Sequence, residues 1–292
     1  MTSLSLSAKD RPTETVFSFR IAMFVSALLL ASGCVHLAMF AILGTTWQGP
    51  LSLRKPALFG ISGGITMWSL AWLMTQLRPK QLDRLLVNSL AIALLMEVVL
   101  ITLQYWRGVP SHFNHSTNLD AAIEFSMLGL ILFVTGGIFY LTVRTCWLRA
   151  IEPAMAIAIR GGMLLLALSC LLGIATSVLG EMNLTAGRSA ELLGRAGVLK
   201  FPHGVALHAI QMLPFVAWLA RLLNLDHSVR IVTSALVAQI LFLLYALWQT
   251  GYGRDRFDWD SIGGSILAMV ALLSLYPAFA LSLGFVRNLG RK

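Results

Sequence analysis

The stretch IAMFVSALLLASGCVHLAMFAILG, residues 21–44, decides the fold. It holds no Asp, Glu, Lys or Arg, and His36 is its one imidazole. A bilayer-spanning helix needs about 20 mostly apolar residues. The run is continuous rather than alternating, so it reads as a helix and not as a strand. Ser32-Gly33-Cys34 mimics a lipoprotein cleavage site, but apolar residues continue through Leu43. A cleaved signal has a shorter apolar core, so the segment reads as a plain first span.

Seven further runs of this kind follow, at about 57–76, 87–106, 121–143, 158–180, 204–223, 231–249 and 262–286. The expected fold is an all-α membrane protein with eight transmembrane helices. Composition agrees: 57% of the 292 residues are hydrophobic and 12% charged, against roughly 45–50% and about 25% in soluble domains. These figures exclude a soluble globular enzyme, a disordered chain and a nucleic-acid-binding domain. The partner they imply is the lipid bilayer, and the net charge of +9 reads as loop Lys and Arg. Cys34, Cys146 and Cys170 are an odd number without metal spacing, so no disulfide framework is implied.

With the N-terminus in the cytoplasm, 14 of the 22 Lys and Arg fall in inner segments and eight in outer ones. The excess predicts that both termini are cytoplasmic. The outer eight are Arg54, Lys55, Arg107, Arg188, Arg195, Lys200, Arg254 and Arg256. They need a reason, because such sites are normally depleted of cations.

Two halves of the chain resemble each other. Leu28-Leu29-Leu30-Ala31-Ser32-Gly33-Cys34 matches Leu164-Leu165-Leu166-Ala167-Leu168-Ser169-Cys170 at an offset of 136, and Leu43-Gly44 matches Leu179-Gly180. Ala71-Trp72-Leu73 matches Ala217-Trp218-Leu219 at an offset of 146, where Arg54 falls on Lys200. Gln104 falls near Gln249, and His112-Phe113-Asn114 near Arg256-Phe257-Asp258. The expected organisation is a cytoplasmic tail at 1–19, a four-helix repeat at 20–150 and a second at 151–292. An even number of spans per repeat gives the halves the same orientation, as in transporters built from parallel repeats.

The outer loops mix cations, aromatics, Gly and Pro, as in Arg107-Gly108-Val109-Pro110-Ser111-His112-Phe113-Asn114. They are expected to fold over the helix ends, burying Arg107, Asn114, Phe113, Phe201 and Trp259. That loop, Arg54-Lys55-Pro56 and His208-Ala209-Ile210-Gln211-Met212-Leu213-Pro214 resemble a widespread family of bacterial multi-pass membrane proteins. The resemblance covers most of helices two to six. It implies a bacterial cytoplasmic (inner) membrane, a shared fold and a shared outer-face site, and carries no activity with it.

Polar residues inside a membrane are costly and mark function by default. His36, Glu97, Gln104, Asp120, Glu124, His208 and Gln211 all fall in the outer halves of their spans. With Arg54, Lys55, Arg107, His112, Asn114, Lys200 and His203 they outline a ligand-binding cavity opening outward. Pro214 should kink the sixth span and free a carbonyl near Gln211.

Three chemistries suit this set. A b-type haem would take His36 and His208 as axial metal ligands, with Arg54, Lys55, Arg107 and Lys200 meeting its propionates. A proton-coupled carrier or binding protein would take an anionic or lipid-linked ligand among the cations and buried carboxylates. A metal-dependent or acid–base enzyme would use His36, Glu97, Glu124, His112 and His208, but E-x-x-H and H-x-x-x-H spacings are lacking. No nucleotide loop, zinc pattern or catalytic triad signature is present in the sequence.

Overall fold

The computed structural model describes residues 19–148 and 151–289. Most of the expected tail, with Lys9 and Arg11, lies outside the described residues, as do Arg149, Arg291 and Lys292. Among the described residues, eight helical segments are long and apolar enough to cross a membrane. They form two compact units, one ending at Gly137 and the other starting at Ile138, so the junction falls inside the fourth helix.

The first unit holds α1 (Arg20–Leu43), α2 (Arg54–Gln76), α3 (Gln81–Trp106) and the leading part of α4 (Asn118–Thr145). Helices α1 and α2 meet backbone to backbone. A Cβ on Gly33 would lie 2.6 Å from the Ile61 nitrogen, and one on Gly60 2.8 Å from the Gly33 Cα. Further along, the Ser26 hydroxyl donates to the Gly64 carbonyl at 2.6 Å. The contacts run in opposite directions along the two chains, so the helices are antiparallel. Small residues give such close approach where lipid supplies no hydrophobic drive between helices. The Asn88 amide oxygen on α3 accepts from the Ala22 N–H at 3.3 Å and satisfies one donor at the start of α1. Helices α3 and α4 pack through Ile101, Ile123 and Met127.

The second unit contains α5 (Pro153–Thr185), α6 (Lys200–Leu207), α7 (Ala209–Leu222), α8 (Ser228–Gly251) and α9 (Ser261–Leu289), besides the trailing turns of α4. Pro153 opens α5, and the Glu152 carboxylate caps it by accepting from Ala154 and Met155 N–H at 3.0 Å each. Its core joins Ala154, Ala158 and Leu165 of α5 to Ala209, Leu213 and Ala217 of α7 and Val232 and Leu243 of α8. Arg160 on α5 donates to the Thr145 and Leu148 carbonyls at 3.2 Å each, satisfying the end of α4.

Two features differ from the sequence expectation. The sixth span is not one helix: it is interrupted at His208, which ends α6 and begins α7. The loop after α5 adds a small hairpin to the expected all-α fold, β1 (Leu192–Leu193) pairing antiparallel with β2 (Gly197–Val198). The hairpin turns at Gly194, whose φ is +61°, and lies against the end of α8 through an Ala196 N–H to Gly253 carbonyl bond of 2.9 Å.

Candidate functional site

At the loop end of the first unit, the chain from Arg107 to Thr117 is held by two carboxylates on α4. Asp120 accepts from Arg107 at 2.7 Å, from the Gln104 amide at 3.1 Å and from the Thr117 hydroxyl at 2.7 Å. Arg107 also donates to the Gln104 side-chain oxygen. Glu124 accepts from two consecutive backbone donors, Phe113 N–H and Asn114 N–H, at 2.6 Å each. Phe113 adopts a φ of +59°, a left-handed conformation that aims both amides at one anion. Asn114 donates to the Pro110 carbonyl at 3.2 Å and accepts from the Ser116 N–H at 3.2 Å. His115 Nε2 lies 3.9 Å from Glu124, and His112 sits beside the Ser111 hydroxyl with its ring 5.9 Å from that of Phe59.

The loop is thus an ordered cap. Asn114 is buried as expected, at 4% exposed. Arg107 corrects the expectation, since its side chain stays 30% exposed. The reason is geometric: one face of the guanidinium closes the Gln104–Asp120 pair and the other faces out. Phe113 and Phe201 are half-buried, and Phe201 packs against Phe242 and Tyr245. Trp259 is a second correction, being 81% exposed. Its ring lies along α9, within 2.4 Å of where a Cβ on Gly264 would stand, so it covers the helix surface without entering the core. An indole there suits the membrane–water interface.

Four of the eight cations expected in outer segments have carboxylate partners. Arg107 pairs with Asp120, Lys200 with Glu191 at 3.0 Å, Arg195 with Asp258 at 2.9 Å and Arg254 with Asp260 at 2.5 Å. Their charge is matched locally by loop carboxylates. Arg54 and Lys55 stand half-buried in the first turn of α2.

Deeper in the first unit, His36 lies on the α1 face that also carries Ser26, Leu29 and Gly33, so it faces protein. Its Nδ1 donates to the Ser32 carbonyl at 2.7 Å, one turn back. That bond leaves Nε2 with the lone pair. Glu97 lies on the buried face of α3 and is 3% exposed, and its Oε2 has no hydrogen-bond partner among the described residues.

The second unit gathers His203, His208 and Gln211 along α6 and α7. His203 lies against Gly173 of α5 and is stitched to that helix twice. Its Nδ1 donates to the Ser169 carbonyl at 2.8 Å, and the Ser169 hydroxyl donates to the His203 carbonyl at 2.9 Å. His208, at the break, is exposed. Gln211 lies one turn beyond, and both its amide nitrogen and its amide oxygen are buried without a partner among the described residues. Gln239, a residue the sequence reading passed over, donates from α8 to the Val205 carbonyl at 2.6 Å. It satisfies one of the carbonyls released where α6 ends. A glutamine in the middle of the apolar run 231–249 was the available signal.

His36, Glu97 and Glu124 therefore belong to the first unit, and His203, His208 and Gln211 to the second. No family model matches the chain, and neither the curated proteins nor the solved structures include one similar to it.

Proposed function

We propose that this chain is an internally duplicated membrane carrier or binding protein that takes a small anionic ligand at the break in its sixth span. In this reading it lies in a bacterial inner membrane with both termini cytoplasmic, and belongs with the multi-pass family its loop motifs resemble.

Local geometry repeated at the sequence offsets supports the duplication. The sixth span, Lys200–Leu222, begins and ends 146 residues after α2, Arg54–Gln76. Gly33 approaches the Ala57 carbonyl, and Ser169 bonds the His203 carbonyl, at offsets of 136 and 146. Ser26 meets Gly64, and Gly162 meets Ile210, at the same two offsets. Past α3 the Val109 N–H returns to the Gln104 carbonyl over Gly108 at φ +71°; past α8 the Arg254 N–H returns to the Gln249 carbonyl over Gly253 at φ +65°. On this scaffold Gln104 and Gln249 coincide, but the histidines, Glu97, Gln211 and Gln239 have no like counterpart. His36 corresponds to Leu172 at the offset of 136, Glu97 to Phe242 and Gln239 to Leu94 at the 145 that relates Gln104 to Gln249, and His203, His208 and Gln211 to Ala57, Ser62 and Ile65 at 146. The second unit is where a continuous helix has been exchanged for a broken one.

The observation that carries the ligand reading is this break and the unpartnered Gln211 amide beside it. Discontinuous helices in carriers hold ligands at their half-helix ends, and the N-terminal end of α7 is the positive one. A buried amide without partners costs about 1–3 kcal/mol. A protein that retains one keeps it for a group that arrives. The Gln211→Leu variant should therefore melt higher than the parent in the same detergent, by the equivalent of about 1–2 kcal/mol. It should also lose any stabilisation by inorganic phosphate or citrate that the parent shows. A variant that melts lower would mean the amide is a structural bond, and the reading would fall.

A second reading is favoured by His36. An imidazole whose Nδ1–H is fixed by a backbone carbonyl presents Nε2 as a metal ligand, the arrangement usual for haem and zinc histidines. Against its propionate contacts stands the pairing of Arg107 and Lys200 with Asp120 and Glu191. A Soret band in the purified protein, lost in His36→Ala, would select this reading.

A further inference from the structure

We infer that Glu97 is an intramembrane proton-binding site, a carboxylic acid carried in the wall of the first unit. It lies nine residues before the end of α3, about 14 Å along the helix from that end. Its neighbours on the buried face of α3 are Ala93, Val98 and Ile101. The charged and titratable groups around it do not serve it. On α1 the buried face offers only His36, whose Nδ1 is committed to Ser32 and whose ring makes no bond to the Glu97 Oε2. The buried residues of α2 include none. On α4 within this unit the buried acid is Asp120, held by Gln104, Arg107 and Thr117. On α3 itself, Asp83 receives the Lys80 N–H at 2.7 Å at the opposite end of the helix.

Among the described residues a carboxylate in this place has neither a counter-ion nor the donors that would replace water, and an isolated buried ion is among the most expensive groups a fold can hold. The neutral acid is the form that suits a site whose Oε2 is buried and unpartnered among the described residues. The inference stands on the first unit alone and survives failure of the ligand reading for the second.

The test uses the whole protein in detergent or native membranes. Dicyclohexylcarbodiimide, an apolar reagent that attacks un-ionised carboxyls, should modify Glu97 in preference to Glu124 and Glu152, as read by mass spectrometry of the α3 peptide. A water-soluble carbodiimide should spare it. In the infrared, the protein at neutral pH should show the carbonyl stretch of an un-ionised carboxyl, and Glu97→Gln should remove it. Absence of the adduct together with an unchanged stretch in Glu97→Gln would overturn the inference. Should that variant fail to fold, the labelling of the parent decides alone.

Discussion

Gly33 does in one residue what a pair of transmembrane helices otherwise needs a seam to do. Its missing side chain lets α1 lie on α2 close enough that an added Cβ would stand 2.6 Å from the Ile61 nitrogen and 2.8 Å from the Ala57 carbonyl oxygen. Those atoms are backbone and cannot swing aside. Gly33→Ala should therefore destabilise the first unit by about 1–3 kcal/mol, read as a lower melting temperature or a lower denaturant midpoint in detergent. An unchanged midpoint would show that the helices separate at no cost. Residue type was legible here in the sequence, since Ser32-Gly33-Cys34 drew notice; its meaning was not. The contact lies between residues 24 or more apart in sequence, and local periodicity does not report which helix a glycine faces. Glu97 and His36 were legible for the opposite reason. A polar group in an apolar run is visible without any partner.

At the scale of elements, the cap of the first unit is held by two carboxylates, Asp120 at its ends and Glu124 at its middle. Glu124 receives both the Phe113 and Asn114 amides, and Phe113 holds a left-handed φ that a non-glycine residue keeps only under constraint. Glu124→Ala should release residues 107–117 while α3 and α4 stay folded. Trypsin should then cut after Arg107 in the variant much faster than in the parent, and equal rates would contradict the account. The loop before α9 should respond to acid. Asp260 is held below the usual carboxylate range, first by the Gly263 backbone amide and then by the Trp248 indole and Arg254, against the opposing effect of burial. A carboxyl whose value falls on folding contributes stability that is complete above its unfolded value, about 3.9, and is lost as pH drops through the folded one. The parent should thus lose its advantage over Asp260→Asn as pH falls below about 4. A melting difference between the two that does not change with pH would show that the carboxylate is not paired.

The break in the sixth span shows where sequence reading stopped at this scale. Pro214 suggested a kink near Gln211, but the helix parts earlier, at His208. Part of the cause lies outside the span: Gln239 of α8 takes the Val205 carbonyl, making it cheap for α6 to end there. Gln239 was visible in its apolar run, but sequence does not report which carbonyl of another helix it meets. The hairpin after α5 escaped similarly. Its two-residue strands are too short for alternation to register, and Gly197 is required by the approach of the Thr250 carbonyl, 53 residues away.

For the whole molecule, the eight spans were plain in the sequence, because length and continuous apolarity are what a bilayer requires. The junction inside α4, the break at His208 and the partners of the polar residues needed coordinates. The central claim is that one helix of a repeated pair is interrupted and open while its counterpart is continuous and dry. Hydrogen–deuterium exchange on the protein in lipid nanodiscs tests it within one experiment. Amides 204–212, around His208, should exchange at least about tenfold faster than amides 58–66 at the matching register of α2. Protection of 204–212 equal to that of 58–66 would mean that the sixth span is an unbroken helix, and the proposed ligand site would have no place to be.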